Sequence, residues 1–186
     1  MPQSVDPIDS RQHSAPRIVV QSIPVSLLPP VLTLYRQGSS DATQTPPCHC
    51  RLELSVPEII EDDPTVDLLG KWFVDYDLSV PRSLNPVHEE EFDGDFNSTS
   101  IIRGPWSFNL EADALGIVAD GVHVIDLVVA ERAAFDKDST TLPNRAVLTA
   151  DGYESAVWRF VVNVVVDPSH SPTTCPQELP SRRICQ

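Results

Sequence analysis

The chain of 186 residues carries 13 Lys and Arg against 27 Asp and Glu, a formal net charge of −14, with 18 Pro, 7 Gly and 4 Cys. That length suits one medium domain with trailing arms, and 41% apolar residues are enough for a core and exclude wholesale disorder. The charge excludes phosphate-driven binding of nucleic acid and docking on anionic lipid, which need clustered Lys and Arg, and leaves cations, basic partners or plain solubility.

Residues 1–47 read as an extended Pro-rich arm, since residues 1–50 hold 8 of the 18 prolines. The opening MPQSVDPIDSRQH is acidic and polar, so no signal peptide is visible in it. The longest uncharged run, 18–35, is broken by Pro24, Pro29 and Pro30, so no transmembrane segment is expected. Within the arm, Arg17–Val25 and Val31–Arg36 are short apolar runs suited to edge strands. Residues 37–47 have linker composition.

From residue 50 the apolar residues alternate. Leu52, Leu54 and Val56 share a face in Cys50–Val56; Trp72, Val74 and Tyr76 do so in Lys71–Asp77; Trp106, Phe108 and Leu110 follow in Trp106–Leu110. His123, Ile125, Leu127 and Val129 share a face in Gly121–Glu131, and Trp158, Phe160, Val162, Val164 and Val166 in Ala156–Asp167. Period two with β-branched and aromatic residues predicts half-buried antiparallel strands. A further short strand is expected at Arg145–Thr149, and at most one helical turn in Leu110–Val118. Seven or eight strands separated by turn signals predict an all-β sandwich over residues 48–167. Residues 168–186 form a Pro-rich tail with two of the cysteines.

The run DDPTVDLLGKWFVDYD (62–77) resembles the acidic loop and Trp-bearing strand of bacterial Ig-like and PKD-type domains. GVHVIDLVVAE (121–131) resembles their later Gly-led strand, with His123 in place of the aromatic, and Val157–Val166 resembles the closing strand. The sequence departs from the pattern after the Trp strand, where Asp77 is followed by Leu78-Ser79 instead of the usual Gly-containing turn, and where loop 78–104 is long and acidic. The resemblance implies an Ig-like antiparallel β-sandwich in an extracytoplasmic accessory or adhesion-type module. It names no activity.

The cysteines form two clusters that flank the sandwich, Cys48-His49-Cys50 and Cys175 with Cys185. We read them as two disulfides joining the tail to the first core strand, because Cys48 and Cys50 pair with each other only in strained geometry. A closed loop of over ~100 residues contributes roughly 4–5 kcal/mol in the chain-entropy treatment. The alternatives are a metal site, for which C-x-C spacing is tight, or free thiols. Disulfides place the chain in the periplasm, on the cell surface or outside the cell.

Residues 58–95 hold twelve acids and two bases, so −10 of the −14 sits there. Asp93, Asp95 and Asn97 are candidate calcium ligands, being hard oxygen donors at alternate positions, although the EF-hand spacing is not met. The simpler reading is a solvated acidic loop. Trp72, Trp106, His123 and Trp158 are read as core markers, with His123 hydrogen-bonded in the manner of a tyrosine corner. Asn97-Ser98-Thr99 is a glycosylation sequon, meaningful only in a eukaryotic secretory route. No G-x-S-x-G, H-E-x-x-H, P-loop or dinucleotide signature occurs, and the density of acids explains the proximity of His88-Glu89 to Asp93 and Asp95.

The expectation is a non-catalytic secreted or surface-exposed structural or adhesion module without a cofactor, binding a protein partner or further copies of itself. Two alternatives stand beside it: a calcium-assisted carbohydrate-binding module, for which a glycan is the partner, and a hydrolase with its site in loop 78–104.

Overall fold

A computed structural model describes residues 14–36, 50–112, 114–117, 119–135, 145–149, 152–166 and 183–185, with backbone alone at Tyr35, Arg36, Cys50, Arg82, Val166 and 183–185. The described residues are all-β, joined by short 3-10 turns. The strands are β1 Arg17–Ile18, β2 Leu32–Arg36, β3 Cys50–Val56, β4 Ile59–Ile60, β5 Leu68–Val74, β6 His88–Phe92, β7 Ile102–Arg103, β8 Trp106–Glu111, β9 Gly121–Glu131, β10 Ala156–Val166 and β11 Arg183–Cys185.

They form three sheets: five strands in the order β2-β10-β9-β5-β6, three in the order β11-β3-β8, and a small sheet β1-β4-β7. The alternating apolar faces of β3 and β8 meet the inner face of the five-stranded sheet. Leu52, Leu54, Val56, Trp106, Phe108 and Leu110 share one core with Leu68, Trp72, Ile125, Leu127, Val129 and Phe160. Burial of each such side chain stabilises the fold by roughly 1.5–3 kcal/mol. Trp72 packs on Phe108 with ring centroids 5.5 Å apart, and Phe92 on Trp106 at 4.4 Å.

Strand β5, between β9 and β6, is buried on both faces, because Leu69 and Phe73 join Val128, Ala130, Ala134 and Phe135 in a second cluster on the outer side. Alternation therefore fails at 68–70, and β5 runs Leu68–Val74 rather than the expected Lys71–Asp77. Asp75 ends it with a left-handed φ of 49°, a conformation that Asp tolerates better than most residues.

The runs at 17–25 and 31–36 supply β1 and β2, each at the end of its sheet, and Ile23, Leu27, Leu32 and Leu34 lie in the main core. Three further expectations are corrected. Strand β2 pairs with β10 in parallel, Leu32 opposite Val162 to Arg36 opposite Val166, so the sheets are not purely antiparallel. A parallel pair needs a long crossover, which more than a hundred residues between the strands supply. Arg145–Thr149 is not a strand; Leu148 N–H donates to the Ala134 carbonyl at 2.8 Å, and Val147 packs on the outer cluster. The stretch 78–104 is not one loop, since it contains β6, antiparallel to β5 from Leu68 opposite Phe92 to Trp72 opposite His88, and β7. Residues 111–117 make one turn, closed by Leu115 N–H to the Glu111 carbonyl at 3.2 Å. The segments 37–49 and 167–182 lie outside the described residues.

Candidate functional site

At the end of the sheet where β5 stops and β9 starts, a cleft of about 530 Å³ opens between the β5–β6 connection and the chain leading into β9. Val74, Val80, Val87, Leu115, Ile117 and Ala119 give it apolar walls, and Asp75, Asp77, Asp120 and His123 supply polar groups. Its volume falls in the range of ligand pockets, roughly 300–1,000 Å³.

Asp75 organises this end. Its N–H donates to the Val124 carbonyl at 2.8 Å, and its Oδ1 accepts the Val124 N–H at 2.8 Å. Its Oδ2 lies 2.6 Å from His123 Nδ1. A carboxylate only accepts, so Nδ1 carries the proton and donates. His123 Nε2 is enclosed and has no hydrogen-bond partner. The ring therefore ties β9 to the end of β5 and presents no free nitrogen to the cleft. His123 has the inward parity of Ile125 and Leu127, its side chain is 18% exposed, and it lines the cleft.

The β5–β6 connection is braced in the same manner. Asp77 Oδ1 accepts the Ser79 N–H at 2.8 Å and the Ser79 hydroxyl at 2.7 Å, and these bonds, the backbone one foremost, hold its carboxyl below the ordinary 3.8. Ser83 Oγ accepts the Asp77 N–H at 2.8 Å and lies 2.8 Å from the Asp77 carbonyl and 2.9 Å from that of Val80. Its hydroxyl is occupied with the loop backbone.

The other candidates lie apart from the cleft. Asp93 Oδ1 accepts from Arg132 Nη2 at 2.8 Å, and the same guanidinium reaches Glu91 Oε2 at 2.7 Å and Asp67 Oδ2 at 3.2 Å. The bond to Asp93 is the first cause that raises the Arg132 pKa. Asp95 Oδ1 accepts the Asn97 N–H at 2.8 Å, closing a local turn. Among the described residues no group of three His, Cys, Asp or Glu is placed to hold a metal ion. Asn97 is exposed. His88 stacks on Phe108 with centroids 5.9 Å apart while Glu89 lies 3.6 Å from Lys71 Nζ, so His88 and Glu89 make no pair with Asp93 or Asp95.

Trp72 and Trp106 are fully buried, and Trp158 is half-buried against Phe160; none of the three offers a stacking platform. The antiparallel register of β11 on β3 sets Cys185 opposite Cys50. Cys48 and Cys175 lie outside the described residues. Sequence reading passed over Asp75 as a site residue, because its partner stands 48 positions away; an Asp just past the apolar run was the available signal.

Among the described residues, no helix is long and apolar enough to cross a membrane. No protein-family model, curated protein or solved structure matches the chain.

Proposed function

We propose that this chain is a non-catalytic, extracytoplasmic protein-binding module built on an Ig-like β-sandwich. One observation carries the reading: the order in which the strands pair. With β2 as A′, β3 as B, β5 as C, β6 as C′, β8 as E, β9 as F and β10 as G, the sheet A′-G-F-C-C′ faces the three-stranded sheet β11-B-E, in which β11 has no counterpart in that scheme. This order resembles that of Ig domains with the extra strand of the variable type, and Trp72 sits on C as the buried Trp of such domains does. The bond from His123 to Asp75 near the start of F takes the place of the tyrosine corner.

The fold alone leaves function open. The binding reading draws on the cleft, whose walls are apolar while the Ser83 hydroxyl bonds the loop backbone and His123 Nδ1 bonds Asp75. The register that sets Cys185 opposite Cys50 supports a tail clasped by a disulfide, and with it an oxidising compartment.

The test is isolation of the chain from its native source under mild conditions, with cross-linking and sizing. A complex larger than the monomer is expected, containing a second protein or further copies. A monomer at every concentration overturns the binding reading, and four free thiols in the native protein overturn the compartment.

A further inference from the structure

We infer that the cleft and the open edge of β6 form one continuous docking surface for an extended, basic segment of a partner protein. The inference rests on the protein-binding reading and specifies which surface is used and what chemistry fits it.

Three observations lead there. First, the cleft and the edge adjoin: Val87 lines the cleft and immediately precedes His88, the first residue of β6, and among the described residues no strand lies beyond β6 in its sheet. An unpaired edge offers a row of backbone donors and acceptors to an added strand, and a pocket at its end offers room for a side chain. Second, apolar surface continues out of the cleft along the β5–β6 connection, with Leu78 67% exposed, Val80 47% and Val87 40%. A small amine confined to the cavity would leave that strip wet; a chain segment lying across it would cover it.

Third, the charge selects the occupant. Asp75, Asp77 and Asp120 face the cleft, and among the described side chains that line it there is no Lys or Arg. Strand β6 reads His-Glu-Glu-Glu-Phe. On its outer face Arg132 serves Asp67, Glu91 and Asp93, and Lys71 lies 3.6 Å from Glu89, so four carboxylates meet two cations and the face is left in negative excess. Pairing β6 with a second copy of itself would set glutamates against glutamates, which disfavours self-association through this edge. A strand with alternating apolar and Lys or Arg positions meets the same edge with opposite charge.

The probe is a library of ten-residue peptides alternating apolar residues with Lys or Arg, against a matched library carrying Glu and Asp. Binding to the full chain is read by fluorescence anisotropy at 50 and 300 mM salt (about 14 and 6 Å of Debye screening). We expect the basic peptides to bind, more weakly at the higher salt, and the acidic ones not to. Val87→Lys and Leu78→Lys, both at exposed positions and each checked for an unchanged melting temperature, should weaken binding at least tenfold. Val157→Lys, on the exposed surface of β10, should leave it unchanged.

Four results overturn the inference: no basic peptide binds; acidic peptides bind equally; lysine amide alone binds as tightly as the peptides; or the chain forms dimers that Val87→Lys dissociates. A native complex that persists in the Val87→Lys chain would remove this surface while leaving the protein-binding reading intact.

Discussion

Gly70 on β5 lies directly beneath the indole of Trp106 on the facing sheet: a Cβ at residue 70 would stand 2.5 Å from Trp106 Cζ3 and 2.6 Å from Cε3. The missing side chain is what lets the larger sheet accept a tryptophan that is fully buried. Gly70→Ala must push the ring into neighbours that have no spare volume, at roughly 1–3 kcal/mol for overpacking. For a chain of this size that lowers the melting temperature by roughly 2–4 °C per kcal/mol. Trp106→Phe gives up no hydrogen bond, since Nε1 has no partner, and relieves the contact. The double variant should therefore lose less stability than the two single losses added, a coupling that denaturant titration of all four proteins measures.

Asp75 does two separable things, adopting the left-handed turn and holding His123 with Val124. Asp75→Gly keeps the turn and removes the carboxylate; Asp75→Ala loses both. Because the carboxylate is about half exposed, its hydrogen bonds contribute about 1–2 kcal/mol, and Asp75→Ala should cost more than Asp75→Gly. In nitrogen NMR the wild-type His123 should show a protonated Nδ1, and Asp75→Gly should shift the ring toward the ordinary mixture of tautomers. Identical ring spectra in the two proteins would contradict the bond.

How much of this was legible in the sequence depends on which face each strand turns to water. β3 and β10 each bury one face, so their period-two pattern marked them to within a residue; β9 is buried on both faces from Ile125 to Glu131, and the in-phase Ile125, Leu127 and Val129 still marked its bounds. β5 buries both faces: Leu68, Leu69, Gly70 and Trp72 leave no alternation to read, and its bounds shifted by three. β6 is the converse case. His88-Glu89-Glu90-Glu91-Phe92 has no continuous apolar face, and the backbone ladder to β5 holds it at the sheet edge. The parallel pairing of β2 and the bond between Asp75 and His123 join positions far apart in the chain, and no local pattern encodes such partners.

Cys185 and Cys50 occupy opposed positions in an antiparallel ladder, where Cα atoms stand roughly 4.5–5.5 Å apart, within the span of a disulfide. A bridge there closes a loop of over ~100 residues and contributes about 5 kcal/mol in the chain-entropy treatment. Peptide mapping of unreduced protein from its native source should recover Cys50 joined to Cys185, leaving Cys48 with Cys175. Cys185→Ser should lower the melting temperature under oxidising conditions and change little in reductant. Recovery of Cys50 joined to Cys48 would contradict the pairing.

Glu61 gives a stability signature of unusual sign. It is 1% exposed, and burial, the largest cause, pushes its pKa above the ordinary 4.5. The Asp63 N–H and Ser14 hydroxyl, each 3.2 Å from Oε1, pull partly the other way, and Oε2 has no partner. The folded chain therefore holds this proton more tightly than the unfolded one. Glu61 favours folding fully below pH 4.5, and that favour is lost as pH rises through the raised folded value. Asp62, held below 3.8 first by its bond from Arg17, acts oppositely; its support is present above 3.8 and lost at lower pH. Glu61→Gln keeps the Oε1 acceptor and removes the charge. Its melting temperature should match or exceed wild type at pH 7.5, and the difference between the two proteins should shrink as pH falls toward 4.5. Melting curves at half-unit steps between pH 4.5 and 7.5 decide it: a constant difference means that Glu61 is no better protonated in the fold than outside it.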